Sequence, residues 1–346
     1  MLDDKSNKII KYIKGNPLLS SKEIHEGIKP GMAYATVKRV LAKLVAARII
    51  ITVGKRRSTK YEITSTYQLF YPIDVSQYFN QEIDNRVIKE SFDFELISKV
   101  LYEVNIFTES ESRDLDLLQK KYLTNAKNLS KEEYKKELER LAIDLSWKSS
   151  QIEGNTYSLL ETERLLKEKE TAGGKTKDEA IMLLNHKEAI DFIIEDPTYI
   201  NPLSIFRIED IHSILTKELG IDRNIRNRRV GISGTNYRPL DNEYQIKEAL
   251  VQMCDLVNAK VDVFEKALLV LVLISYIQPF NDGNKRTARI LSNAILINNK
   301  HCPISFRTID SIEYKKAMLI FYEQNNITAF KKIFIDQFEF AVNTYF

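Results

Sequence analysis

The stretch Gln278-Pro279-Phe280-Asn281-Asp282-Gly283-Asn284-Lys285-Arg286-Thr287-Ala288-Arg289 divides two apolar segments. Before it lies the longest apolar run, Ala267 to Ile274, which reads as a buried core helix. That run is far short of the roughly 20 residues a membrane span needs. After it, Ile290, Leu291, Ala294, Ile295 and Ile297 recur at helical spacing, so a second helix spans about Asn284 to Asn298. A loop that opens a helix gathers unpaired N–H groups at the positive end of the helix dipole, which favours a phosphate there. Gly283 lets the backbone approach closely, and the Asn284 amide can donate to a phosphate oxygen. Arg286 and Arg289, three apart, share a helix face, where two guanidinium forks would grip polyphosphate. Asp282 offers a hard oxygen for Mg²⁺, and Phe280 belongs to the core. The plainer alternative is a helix cap whose basic residues form a solvated face.

Upstream, Ser130-Lys131-Glu132-Glu133 is a capping box. The helix it opens carries Tyr134, Leu138, Leu141 and Leu145 on one face. It leads into Ser149-Ser150-Gln151-Ile152-Glu153-Gly154-Asn155. Arg229 to Pro239 is an extended stretch punctuated by glycine and proline, predicted as a small hairpin. Gly173-Gly174-Lys175-Thr176 echoes the end of a P-loop, but Lys169 stands where the motif needs glycine and no strand precedes it. It reads as a helix break.

Taken together, these segments resemble the Fic family over roughly residues 90–340. The resemblance implies a mainly α fold, a Fic-type helical bundle with a small β-hairpin flap. Its signature loop would be 278–289 and its inhibitory helix about 131–155. Ser149, Glu153 and Gly154 match the family's inhibitory pattern, which implies that Glu153 pairs with Arg289 and crowds the γ-phosphate of ATP. ATP would rest against Gly283, Asn284, Lys285, Arg286 and Arg289, with Mg²⁺ on Asp282. The flap, Gly231, Ile232, Ser233, Gly234 and Thr235, would hold a protein target by strand addition. The implied reaction is transfer of AMP to a Ser, Thr or Tyr hydroxyl.

Two positions depart from the family pattern. The catalytic base is a histidine in the family and Gln278 here. An amide can orient a hydroxyl but does not titrate usefully, and loss of a general base costs about 10²–10⁴ in rate. The histidines present are His25, His186, His212 and His301, and none lies in the signature. His186 and His212 are expected to be structural. Lys285 stands where AMP-transferring members commonly have glycine and resembles the Doc-type Asn-Lys-Arg, which implies transfer of phosphate instead.

The N-terminal segment has a different character. Residues 1–64 carry a net charge of +9 and the remainder −6. Ile9, Ile10, Tyr12 and Ile13 mark a first helix. Ser20 and Glu23 box the start of a second, which Lys29-Pro30-Gly31 breaks. A third, about Ala33 to Ala47, turns Val37, Val40, Leu41 and Leu44 inward. Two short strands around a basic turn follow. The pattern resembles a winged helix-turn-helix over 1–65. That implies DNA contact, with Tyr34, Thr36, Lys38 and Arg39 near base edges and Arg56 and Arg57 against phosphates. The same architecture also serves protein docking. Residues 66–90 form a connector and 91–346 the Fic domain.

Cys254 and Cys302 have no metal or redox spacing, and Asp3, Asp4 and Lys5 open no apolar leader. The expectation is a reduced cytoplasmic setting without a membrane span. Three functions stand open. One is an ATP- and Mg²⁺-dependent AMP transferase restrained by Glu153, its activity limited by Gln278. Another is a DNA-binding regulator with a silent, nucleotide-sensing Fic domain. The third is a Doc-like kinase. A homodimer suits both the enzyme and the DNA-binding reading.

Overall fold

The computed structural model describes residues 3–28 and 31–346, and the chain is mainly helical. It opens with α1 (Asp4–Gly15), α2 (Ser21–Gly27) and α3 (Tyr34–Ala46), followed by β1 (Ile50–Val53) and β2 (Lys60–Ile63). The strands pair antiparallel, with Ile50 opposite Ile63 and Val53 opposite Lys60. Asp3 caps α1, and Ser20 and Glu23 form a reciprocal capping box on α2. Ile9, Ile13, Ile24, Val37, Leu41 and Leu44 bury their side chains in a core of their own. Two features expected from the sequence, the Lys29-Pro30 helix break and the Arg57 side chain, lie outside the described residues.

Next comes α4 (Ser65–Phe70). Tyr67, and Tyr71 just beyond the helix, pack on the N-terminal core, whereas Leu69 is buried in the main one. Gln68 Nε2 donates to the Gln324 carbonyl at 3.1 Å, and Asn326 Nδ2 to the Gln68 carbonyl at 2.7 Å.

The body begins with α5 (Val75–Phe79) and a turn at Leu96–Val100 leading into α6 (Leu101–Glu103). It continues with α7 (Glu109–Asn128), α8 (Lys131–Ile152), α9 (Leu159–Glu168) and α10 (Lys177–Glu195). Each of these last four helices starts with a capping box that satisfies its first N–H groups. Then follow α11 (Ile205–Thr216), α12 (Glu243–Ala259), α13 (Val263–Ile277), α14 (Asn284–Asn298), α15 (Ser311–Gln324) and α16 (Thr328–Tyr345). Helix α13 is apolar nearly all round and is buried along its length, as such a helix must be. It packs most extensively on α14 and is flanked by α12 and α15. No helix among the described residues is long and apolar enough to cross a membrane.

One element differs from expectation. Residues 229–239 are extended with a turn at Ser233 and Gly234, but no strand ladder closes them into a hairpin. Among the described residues the only sheet is β1–β2, and the stretch makes a single isolated bridge, Arg238 to Ser91. In place of a hairpin partner, arginine side chains hold its first arm, Arg226 on the Arg228 carbonyl and Arg86 on the Gly234 carbonyl at the turn.

Candidate functional site

Helix α13 ends at Gln278, which adopts a left-handed conformation (φ 52°, ψ 58°) and returns its N–H to the Ile274 carbonyl. A residue with a Cβ gives up about 1–2 kcal/mol in that region. The side chain offsets this by folding back. Its Nε2 donates to the Ser275 carbonyl at 2.6 Å, and its Oε1 accepts from Asn284 Nδ2 at 3.0 Å. Asn284 Nδ2 also donates to the Phe280 carbonyl, and Asn284 Oδ1 accepts the Phe280 N–H, both at 2.8 Å. Both hydrogens of the Asn284 amide are therefore engaged in closing the loop. A short loop between two buried helices needs an internal tie, and here Asn284 supplies it, so its amide would have to exchange one of these bonds to donate to a phosphate.

Gly283 precedes α14 with φ 82°, and no side chain caps the helix, so no side chain competes for its first N–H groups. A Cβ on Gly283 would stand 3.2 Å from His212 Nε2 and 3.3 Å from Thr216 Cγ2. Both the backbone angle and the packing on α11 thus require glycine. The His212 ring stacks on Phe280 at 3.6 Å, and its Nε2 donates to the Asp282 carbonyl at 2.9 Å. Burial lowers its pKa to about 4, so the ring is neutral.

The loop is held from outside by Arg226, which is 2% exposed. Its Nε donates to the Gln278 carbonyl and its Nη1 to the Arg228 carbonyl, both at 2.6 Å, and its N–H to the Pro279 carbonyl at 2.9 Å. Burial lowers its pKa to about 10.

These elements border a cavity of about 380 Å³. The signature loop forms one wall, Gly231 to Ser233 another, Ile152 and Glu153 a third, and Lys315, Met318 and Leu319 of α15 a fourth. Arg286 lines it, yet is only 1% exposed. Its Nη2 lies 3.4 Å from Asp282 Oδ2, while Nε and Nη1 are buried with no partner. Burial lowers the Arg286 pKa.

Arg289, fully buried, is tied down instead. Its Nε donates to Ser149 Oγ at 2.8 Å, and its Nη2 to the Ser149 carbonyl at 3.0 Å and to Glu153 Oε1 at 2.9 Å. Glu153 Oε2 lies 3.4 Å from Lys285 Nζ. Burial pushes the Glu153 carboxyl up, but the charges of Arg289 and Lys285 outweigh it and hold the pKa below the usual range. His186 Nε2 sits 2.6 Å from Ser149 Oγ, and burial, with Arg289 nearby, holds its pKa well below the ordinary value. Gly154, at φ 103°, follows the end of α8.

Asp282 has a side chain 67% exposed, with Oδ1 accepting the Gly283 N–H at 2.6 Å. Among the described residues no cluster of three or more His, Cys, Asp or Glu could hold a metal. A divalent ion here would therefore fit on one carboxylate, with water and phosphate oxygens completing its shell, which suits Mg²⁺.

Among the described residues, none of those expected at DNA lines this cavity. Tyr34, Lys38 and Arg39 are exposed and Thr36 half-buried, while Val37, Val40 and Leu41 point inward. The Tyr34 hydroxyl bonds to Ser21 Oγ at 3.0 Å, and Lys38 lies over its ring at 4.9 Å. Arg56 is exposed with φ 55°. Thr235 Oγ1, at the end of the flap stretch, accepts the Tyr237 N–H at 3.0 Å.

Local sequence gave no sign of Arg226 or Lys315, since neither falls at a spacing that marks the loop. His186 and His212 were expected only as structural residues, and their place against Ser149 and Asp282 comes from helices distant in sequence.

A Fic/DOC family model matches residues 202–296. The chain is 30% identical over 173 residues to a protein of Nematostella vectensis named Protein adenylyltransferase Fic, covering 48% of this chain and 40% of that protein. It is 26% identical over 173 residues to Protein adenylyltransferase fic-1 of Caenorhabditis elegans, covering 48% of this chain and 34% of the other. It thus spans less than half the length of these curated relatives. Among solved structures, Fic-1 (residues 134–508) of Caenorhabditis elegans superposes with a TM-score of 0.60 at 21% identity, covering 68% of this chain and 72% of that one. A Fic domain containing signaling protein of Bacteroides thetaiotaomicron gives a TM-score of 0.57 at 20% identity, covering 66% and 94%. The segment of this chain that matches the Fic/DOC family model, residues 202–296, builds the 278–289 loop and the helices around it.

Proposed function

We propose that the chain binds ATP with Mg²⁺ in this cavity, under restraint by Glu153, and that Gln278 leaves AMP transfer to a protein hydroxyl weak or silent. The observation that carries the reading is Arg286, a buried guanidinium with two unpartnered nitrogens beside an uncapped helix start. A buried polar group without a partner is costly, and a polyphosphate would satisfy both the side chain and the helix N–H groups. Asp282 would hold Mg²⁺, whose charge would offset that of the phosphates. Lys285 and Arg289 would turn to the phosphates once Glu153 moves aside. The relatives named adenylyltransferases support the choice of AMP as the transferred group.

In such a transfer the target's hydroxyl oxygen bonds to the α-phosphorus, the α–β P–O bond breaks, and pyrophosphate leaves. The hydroxyl proton needs an acceptor. Gln278 Oε1 is already occupied by Asn284, and an amide takes up no proton near neutral pH. His212 is turned to the Asp282 carbonyl. Binding without efficient chemistry follows.

The test is transfer of label from α-labelled ATP, comparing the chain with Gln278→His, each with and without Glu153→Gly. Label on protein only after histidine is restored supports a silenced AMP transferase. Label from γ-labelled ATP instead would favour the Doc-like kinase, and no label and no ATP binding in any variant would overturn the proposal.

A second reading concerns the N-terminal module as a DNA-binding winged helix, residues 1–65. The exposed cations Lys38 and Arg39 on α3 and Arg56 on the turn favour it, together with the +9 charge of this segment. The two readings are compatible, with the nucleotide cavity as the sensor and DNA as the output.

A further inference from the structure

The flap stretch is an edge without a partner. None of the backbone N–H or C=O groups of Val230 to Ser233 has a hydrogen-bonding partner among the described residues. Such a row of groups is a template for an added strand. Yet the stretch is not loose, because its two ends are pinned from opposite directions. Arg226 holds the Arg228 carbonyl at the start. At the far end, Arg86 Nη1 donates to the Gly234 carbonyl at 3.3 Å.

Arg86 belongs to the connector, well outside the segment matched by the family model. Its side chain is 6% exposed and is paired at 3.0 Å with Glu323, which is fully buried at the end of α15. Tyr78 donates to the same carboxylate at 2.5 Å. Two further ties run alongside: Asn236 Nδ2 donates to Asp84 Oδ1 at 3.0 Å, and the Arg238 N–H to the Glu90 carbonyl at 2.8 Å. No connector residue lines the cavity. The connector therefore braces the stretch from behind.

We infer that Arg86 is a positioning residue for target docking: with Asp84 and Glu90 it holds the flap as a pre-formed, unpaired edge to which an extended polypeptide adds. The inference rests on the proposed reading that a protein hydroxyl is presented along this edge. Holding the edge before the target arrives removes an ordering cost from binding. The segment between the N-terminal module and the body is in this view part of the target site.

The test uses the full chain carrying Gln278→His and Glu153→Gly as parent. Arg86→Met with Glu323→Gln removes both charges together, so that neither is left buried alone, and Arg86→Lys is the conservative variant. The probes are an array of short peptides bearing Ser, Thr or Tyr, labelled from α-labelled ATP, and amide hydrogen exchange at Arg238. The double change should lower array labelling about tenfold while ATP affinity stays within about twofold. Arg86→Lys should recover part of the loss, and Arg238 should exchange faster in the double variant. Labelling and exchange both equal to the parent would overturn the inference, as would a loss of labelling matched by an equal loss of ATP affinity. If the parent labels no peptide, the transfer reading fails. Exchange at Arg238 then decides the brace alone, with faster exchange supporting it and unchanged exchange overturning it.

Discussion

Around the cavity, Arg286 and Arg289 are buried and fixed in place. On the N-terminal module, Lys38, Arg39 and Arg56 stand in solvent. Both regions are cationic, and the difference between them lies in who supplies the counter-charge. Behind the cavity wall, Arg289 is neutralised from within by Glu153, and Arg286, which lines the cavity, keeps two nitrogens without a partner. That arrangement suits a compact anion, whose charge a few buried donors can meet at fixed points. On the module the counter-charge is solvent and salt, which suits an extended polyanion whose binding is driven by counterion release.

The sharpest way to break the comparison is Arg286→Ala. Losing a charged donor from a desolvated phosphate site should weaken Mg²⁺–ATP affinity about 100-fold, measured by calorimetry, while DNA affinity stays constant. An unchanged ATP affinity would mean that the orphaned nitrogens do not face the ligand. The complementary change is Lys38→Ala, Arg39→Ala and Arg56→Ala together. Duplex DNA affinity should fall roughly 30-fold at physiological salt, and the slope of log affinity against log salt should flatten by about three. ATP affinity should not move.

A third measurement sharpens the buried side. His186 is neutral in the folded chain, its pKa held well below the ordinary 6.5. The unfolded chain therefore binds the extra proton first, so stability is full above about pH 6.5 and falls as the pH drops. The slope is about 1.4 kcal/mol per pH unit for one such group. Urea unfolding at a series of pH values should show it, and His186→Gln should remove about one proton from the slope. The smallest expected effect is Glu153→Gly. Freeing Arg289 and Lys285 for the ligand should raise ATP affinity about fivefold, and an affinity that falls would place Glu153 among the groups that build the site.

The parts of the site that were legible in sequence are those fixed by local chemistry. An all-apolar run must be buried, which placed α13. The capping boxes marked the starts of α2 and α8. The meeting of Glu153 with Arg289, at 2.9 Å, was expected only through the family resemblance, because 136 residues separate the two. What escaped are contacts that no spacing encodes. Arg226 and Arg86 look like ordinary basic residues in polar stretches, and each becomes specific only when distant chain delivers a carbonyl to it. Asn284 was read as a ligand donor because its type allows it, and its ties within the loop, to Gln278 and the Phe280 carbonyl, were not legible beside that reading. The flap was read as a hairpin from its glycine and proline punctuation, which marks a turn without saying whether the arms pair.

Helix α4 packs Tyr67 on one core and Leu69 and Phe70 on the other, and Tyr71, just past its end, returns to the first. A chimera that grafts a different N-terminal module onto this body cannot be joined at residue 65. The seam would strand Tyr67 and Tyr71 beside a stranger and deprive the donated module of two rings it expects. Exchange between such proteins, in the laboratory or by recombination, would have to carry α4 along with the module, and α4 would then have to suit Gln324 and Asn326 of its new host.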